Sequence, residues 1–413
     1  MRKKRLMVFI MAGFCLFCLA GSVSAGSPYE GTYKGTFKGN FEGEWTCTVN
    51  ANGEIDDLTV SLAPNSRGKG KIDAGGNLTA ELRIGIMTTI WTAKVTEDLK
   101  IVDGKTNRGG TFEGQGTKGQ VAEKAEPAIT VVLLGTGTPL PNPERACAST
   151  LVKAGDKLFL IDTGRGFLNN LAKTGMMDVS AVLFTHYHSD HFGEFGELMV
   201  MRGITGADIP LQVIGPKGAE RVVKGIMDAY ALDYDYRKAH HKDKWHDACY
   251  AVEIHETESG IVYDEDGIKI RMFKVGHSPV EPAVGYRIEY RDRSVVVSGD
   301  TVKVPVMTEM AKGCDILVHD ALNTQMVKLT ESRIKDNPRL LRMNQEMTEY
   351  HATTMDVAEI ARDAGVGQLV LTHLVPSIPA DDEAEKMFIR GMNDIYKGPV
   401  KVGRDGMIIE TGP

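Results

Sequence analysis

Four times downstream of residue 180 in this 413-residue chain, an apolar run passes through one or two small residues and ends on a histidine or an aspartate. Ala181-Val182-Leu183-Phe184 leads to Thr185 and His186, Arg271-Met272-Phe273-Lys274-Val275-Gly276 to His277, Ser294-Val295-Val296-Val297-Ser298-Gly299 to Asp300, and Gln368-Leu369-Val370-Leu371-Thr372 to His373. Short runs rich in β-branched residues read as buried strands. Polar residues at the carboxyl ends of several such strands meet at one edge of a layered α/β fold, where open α/β sheets place their sites. A single His or Asp after a strand is more often structural, but the joint recurrence reverses that weighting.

The first of these endings is the densest. Thr185-His186-Tyr187-His188-Ser189-Asp190-His191 puts three imidazoles and a carboxylate on one loop, and neutral imidazole is the commonest metal ligand. His186 and His188 can share one ion, while Asp190 and His191 turn toward a second about 3.5–4 Å away, as in two-metal hydrolytic sites. With His277, Asp300 and His373 the donors are all N or O, without thiolate. That set suits zinc and leaves manganese or iron open. Two divalent cations sharing a water lower its pKa toward neutrality, so a hydroxide nucleophile is available at neutral pH.

The order His-x-His-x-Asp-His, then His, then Asp, then His resembles the metallo-β-lactamase superfamily, from about Ile129 to the C-terminus. Leu134-Gly135-Thr136-Gly137-Thr138-Pro139, Ile161-Asp162-Thr163-Gly164, Leu317-Val318-His319-Asp320-Ala321 and His351-Ala352-Thr353 look like its ribonuclease Z and arylsulfatase-like branch. The resemblance implies an α/β fold, an αββα sandwich, in which His186, His188 and His277 hold one metal ion and Asp190, His191 and His373 a second, with Asp300 bridging. It also implies a proton-accepting role for Asp190.

Several further residues carry two readings. His351 precedes the helical pattern Met355–Ala361, a place from which an imidazole faces a leaving group or bonds the helix-entry backbone. His319, after Ile316-Leu317-Val318, either supports a ligand or is satisfied in the core. Asp162 reads as a carboxylate that orients a ligand imidazole, because metal-bound histidines usually donate their other N–H to such a group. Gly135 and Gly137 read as a tight turn.

The length predicts more than one domain. Arg2-Lys3-Lys4-Arg5, an apolar run from Leu6 to Ala20 and Val23-Ser24-Ala25 read as a secretory signal over residues 1–25, cut after Ala25, with an uncleaved anchor as the alternative. Losing those four cations lowers the formal charge from −7 to −11. Cys47, Cys147, Cys249 and Cys314 would remain, either as free buried thiols or as two disulfides in an oxidising compartment. Residues 26–119 are rich in Gly and Thr with period-two alternation, which predicts a small all-β accessory domain, a sandwich or a roll, with Trp45 and Trp91 in its core or on a binding face. Residues 120–127 read as a linker and 128–413 as the catalytic domain. The stretch 228–260, with Tyr230, Tyr234, Tyr236, Trp245, His240, His241, His246 and His255, reads as a solvated insertion or a lip over the site.

These observations lead to an expected exported hydrolase, periplasmic or secreted, that cleaves a small sulfate or phosphate ester with two divalent metal ions, probing a small anionic substrate and no nucleic acid. No integral membrane segment is expected after signal cleavage, and a homodimer is possible. A ribonuclease Z-type tRNA 3′ endonuclease and a lactone hydrolase are the alternatives, with a non-enzymatic metal-binding surface protein further away. Against the nuclease stand the acidic charge, the export signal and the short interval from His277 to Asp300, which has room only for a strand pair, Ala283 to Tyr290 and Arg293 to Ser298.

Overall fold

The computed structural model describes residues 27–39, 41–84, 87–118, 127–242 and 245–413. The signal reading over 1–25 and, except for Pro127, the linker reading over 120–127 lie outside these. Eight antiparallel strands come first: β1 (Gly31–Lys38), β2 (Gly43–Val49), β3 (Glu54–Val60), β4 (Ala63–Ile72), β5 (Asn77–Ile84), β6 (Met87–Val95), β7 (Lys100–Thr106) and β8 (Thr111–Lys118). Each pairs with the next, and β1 also pairs with β8 from Gly31↔Lys118 to Lys38↔Thr111, so the sheet closes into a barrel. The alternation expected a sandwich or a roll; closure leaves no edge strand to protect. Inward-facing residues fill the interior. Trp45 and Trp91 are both buried and pack edge-on at 6.4 Å, with Phe112 5.9 Å from Trp45.

The remaining chain forms two seven-stranded sheets. The first runs β14 (Val252–Glu256), β13 (Leu211–Gly215), β12 (Ala181–Leu183), β11 (Lys157–Ile161), β10 (Ser149–Ala154), β9 (Ile129–Gly135) and β22 (Ile408–Glu410). The second runs β15 (Gly260–Glu265), β16 (Ile268–Lys274), β17 (Val284–Tyr290), β18 (Arg293–Val297), β19 (Ile316–Leu322), β20 (Gln368–Val375) and β21 (Val400–Val402). Val131, Leu133, Phe159, Ile161, Ile270, Tyr286, Val295 and Val318 form the core between them. Helices α1 (Phe167–Thr174), α3 (Phe195–Thr205) and α4 (Ala219–His241) carry residues that pack with the outward side chains of the first sheet. Helices α5 (Pro305–Met310), α8 (Thr354–Ala364), α9 (Asp382–Phe388) and α10 (Met392–Ile395) do the same for the second. The order is helix, sheet, sheet, helix. Parallel neighbours such as β11–β12–β13 and β18–β19–β20 are buried on both faces, which is why their sequences are continuous apolar runs.

The stretch 228–260 begins as the exposed second half of α4 and continues through a 3-10 turn, Asp247–Tyr250, into β14. Tyr230 donates to Glu197 at 2.9 Å and Tyr234 to Asp247 at 2.8 Å, while His241 stacks on the buried Trp245. These contacts tie the helix to its own neighbours. All four cysteines after residue 26 are buried free thiols. No helix among the described residues is long and apolar enough to cross a membrane.

Candidate metal centre

β12 ends at Leu183, and the chain then leaves the sheet through Thr185 into the short helix α2 (Ser189–Phe192). Two side chains hold this exit loop from opposite sides: the Tyr286 hydroxyl donates to the Phe184 carbonyl at 2.6 Å, and that of Tyr187 to the Pro216 carbonyl at 2.6 Å. Glycine is required at two approaches. A Cβ on Gly164 would lie 2.3 Å from the Asp190 carbonyl oxygen, and one on Gly299, at φ +64°, would lie 2.7 Å from that of Val284 and 2.9 Å from Thr185 Cβ. Both contacts are closer than a real Cβ tolerates, so these glycines let the loops bearing Asp190 and Asp300 close together.

The seven residues singled out as donors converge. His186 Nε2 is 3.1 Å and His277 Nε2 3.4 Å from His188 Nδ1, and both lie 3.9 Å from Asp300 Oδ2. His373 Nε2 is 3.2 Å and His191 Nε2 3.7 Å from Asp190 Oδ2, and each is 3.4 Å from the same Asp300 Oδ2. Tetrahedral donors at roughly 2.0–2.1 Å from a zinc stand about 3.3 Å apart. Imidazole nitrogens facing one another at these distances therefore have the spacing of ligands around a cation. The two groups, joined at Asp300, are separate donor clusters. All seven are buried except His188, which is exposed. His191 Nε2 and Asp300 Oδ1 are buried without a hydrogen-bond partner, whereas buried polar atoms are nearly always satisfied. A divalent cation fits this donor set.

The electrostatics concentrate interacting charge on these side chains. Burial opposes ionisation of Asp300, but the His373 and His191 imidazoles outweigh it and hold the carboxyl well below the usual range. Burial likewise opposes a charged His191, yet Asp300 and Asp162 raise its pKa well above the ordinary value. Burial and the nearby His191 push His186 the other way, toward the neutral form that binds metal.

Supporting contacts fix the rings. Asp162 Oδ2 pairs with His191 Nδ1 at 2.7 Å, and the carboxylate also accepts from the Thr185 amide at 2.8 Å and hydroxyl at 2.7 Å. His277 Nδ1 donates to the Tyr350 carbonyl at 2.8 Å. His351 lies with Asp300 and His373, its ring stacked on that of His373 at 5.1 Å. Its Nδ1 bonds Asp320 Oδ2 at 2.9 Å, which directs Nε2 toward the donors. Asp320 had no role assigned from sequence. Its signal was its place in the Leu317–Ala321 motif at the end of an apolar strand, and its partner lies 31 residues away. His319 is fully buried, bonds the Asp320 carbonyl oxygen at 2.7 Å, and belongs to neither cluster.

Fold and donor set together define a metallo-β-lactamase-fold protein. A model described as Beta-lactamase superfamily domain matches residues 157–374. The Ribonuclease Z of Mycobacterium marinum is 40% identical over 283 residues, covering 67% of this chain and 96% of that protein. That of Mycobacterium bovis BCG is 38% identical over 291 residues, covering 69% and 99%. Among solved structures, human short-form tRNase Z aligns with a TM-score of 0.50 at 19% identity, over 69% of this chain and 99% of that one. The metallo-β-lactamase fold protein YhfI of Bacillus subtilis gives 0.50 at 20% identity, over 68% and 99%. The chain belongs to the β-lactamase superfamily and, within it, is ribonuclease Z-like.

These relatives overturn two expectations: a small sulfate or phosphate ester as the substrate, and no nucleic-acid partner. Of the three observations set against the nuclease, the acidic charge was summed over the whole chain. Recognition of a polyanion depends on the field at one face, which a net charge does not report.

Proposed function

We propose that this chain is a metal-dependent phosphodiesterase of the ribonuclease Z type, an endonuclease that removes the 3′ trailer from precursor tRNA. The observation that carries the reading is 38–41% identity to proteins named Ribonuclease Z along nearly their whole length. In this reading His186, His188 and His277 would hold one ion and Asp190, His191 and His373 a second, with Asp300 a donor shared between them. Zinc is the proposed metal, with manganese or iron compatible with the donors. Bound cations would polarise a phosphoryl oxygen and lower the pKa of a water.

The chain's own groups supply the rest. Asp190 accepts a proton from the nucleophile. Asp320, buried and kept ionised despite burial by its bonds from His319 and His351, orients the His351 ring. His351 Nε2 can then carry the proton that the leaving ribose oxygen needs.

The test is incubation of the zinc- or manganese-loaded chain with a precursor tRNA bearing a 3′ trailer. A single endonucleolytic cut at the end of the acceptor stem, abolished by chelation, is expected. Turnover of a small phosphodiester with the precursor left intact would remove the tRNA reading.

A further inference from the structure

Between Asp320 and His351 the chain makes a helical hairpin, α6 (Thr324–Ile334) and α7 (Pro338–Glu346). It is rooted at the metal centre at both ends. α6 starts two residues after β19, the strand that carries Asp320, and the chain after α7 leads through Tyr350, whose carbonyl holds His277, to His351. The Leu322 amide bonds the Ala352 carbonyl at 2.8 Å and closes the base. Asn323 caps α6 through the Met326 amide, Asn337 caps α7 through that of Leu340, and the buried Asn344 bolts the two together through the Val327 carbonyl at 3.1 Å. The hairpin is well built but shallow, with only Val327 and Asn344 buried along its two helices.

Its outer surface has an unusual composition for this chain. Residues 324–346 carry five cations, Lys328, Arg333, Lys335, Arg339 and Arg342, against three carboxylates, while the whole chain is at −7. All five cations are exposed, and none has an ion-pair partner among the described residues. Arg339, Arg342 and Met343 follow the spacing of one helix face. Leu329, Leu340 and Met343 are 61%, 44% and 51% exposed beside them. Unpaired cations interleaved with apolar side chains match a ribose-phosphate backbone, whose affinity comes mainly from neutralised phosphates.

Resting on the tRNA reading above, we infer that the α6–α7 hairpin is the docking surface for the RNA, holding the phosphate backbone while the scissile bond lies in the metal centre at its base. The interval from His277 to Asp300 holds only the strands β17 and β18 and offers no projecting arm. The hairpin gives a substrate larger than one phosphodiester a second point of attachment.

The test uses the metal-loaded full chain in the His351→Ala background, which slows cleavage of the RNA, and measures precursor tRNA binding across a salt series, with the RNA checked for integrity after each measurement. Replacing Lys328, Arg333, Arg339 and Arg342 together by Gln should raise Kd about 10- to 100-fold at 0.15 M salt and flatten the salt dependence by nearly one unit of slope per lost contact. Arg339→Lys with Arg342→Lys should keep the slope, since a phosphate contact needs the charge. Arg221→Gln with Lys224→Gln on α4 is the control and should leave Kd and slope unaltered. Metal content and melting temperature, taken on the same samples, report assembly. If the parent binds RNA and the four-Gln variant binds it equally with the same slope, this inference falls and the nuclease reading stands. If the parent does not bind RNA at all, both fall. Loss of binding to phosphatidylglycerol vesicles, with RNA binding unchanged, would assign the hairpin to a membrane surface and overturn the inference.

Discussion

The barrel and the metal-centre edge of the sandwich bury polar chemistry in opposite ways. Inside the barrel, Trp45, Trp91, Phe112, Leu78 and Leu82 pack on one another, and the polar tips that are buried find backbone partners where they can: Trp45 Nε1 donates to the Glu113 carbonyl and the Tyr33 hydroxyl to that of Tyr29. No histidine occurs there. At the sandwich edge, His186, Asp190, His191, His277, Asp300 and His373 are all buried together with His351. Taking ionised groups out of water costs several kcal/mol each unless they are paired, and apolar residues of similar size would stabilise the fold more. The barrel thus buries aromatic and aliphatic side chains with one unpartnered polar tip among its described residues, Trp91 Nε1, whereas the sandwich edge gathers buried charge that a bound cation would compensate.

The sharpest break in that comparison comes from changing donors and helpers separately. His188→Ala should lose metal and activity together. His351→Ala should retain metal and lower kcat by about 10²–10⁴, the range of general acid-base and oxyanion contributions. Because kcat reports the chemical step only in an assembled site, metal must be measured on the same samples. Loss of an ion from His351→Ala would make His351 a ligand, in keeping with its place beside Asp300 and His373.

A smaller effect is expected one layer out. Asp162→Asn keeps the shape but weakens the bonds that orient His191 Nδ1 and the Thr185 amide, so metal affinity should fall about 10- to 100-fold, read by competition with a chelating dye. Unchanged affinity would mean that Asp162 only shapes the loop.

The same contrast explains what the sequence disclosed. The αββα layering and the convergence of His186, His188, Asp190, His191, His277, Asp300 and His373 were legible because each donor follows an apolar run, and strand ends are fixed by local pattern. Asp320 was not, since its role exists only once β19 and the segment before α8 bring it to His351. The Tyr350 carbonyl and the Thr185 hydroxyl support the site through atoms that no residue-type pattern marks. Barrel closure was hidden for the same reason: alternation specifies strands, but the pairing of β1 with β8 joins residues as distant in sequence as Gly31 and Lys118. The substrate class was misjudged in part because a chain total of −7 does not report the field at any one face.

The smallest effect on turnover should come from the largest change in the barrel. Trp45 is 2% exposed, touches both Trp91 and Phe112, and anchors β8 through the Glu113 carbonyl. Trp45→Ala removes that ring and leaves a cavity, so the barrel should lose about 3–5 kcal/mol, seen as an earlier unfolding step in a denaturant series followed by Trp91 fluorescence in a Trp245→Phe background. The sandwich keeps its own core and its own donors, so metal content and kcat on a small phosphodiester should remain those of the parent. A parallel fall in metal content would show that the barrel and the metal centre fold as one unit, and the contrast between an independent stable core and a separately assembled site would not survive it.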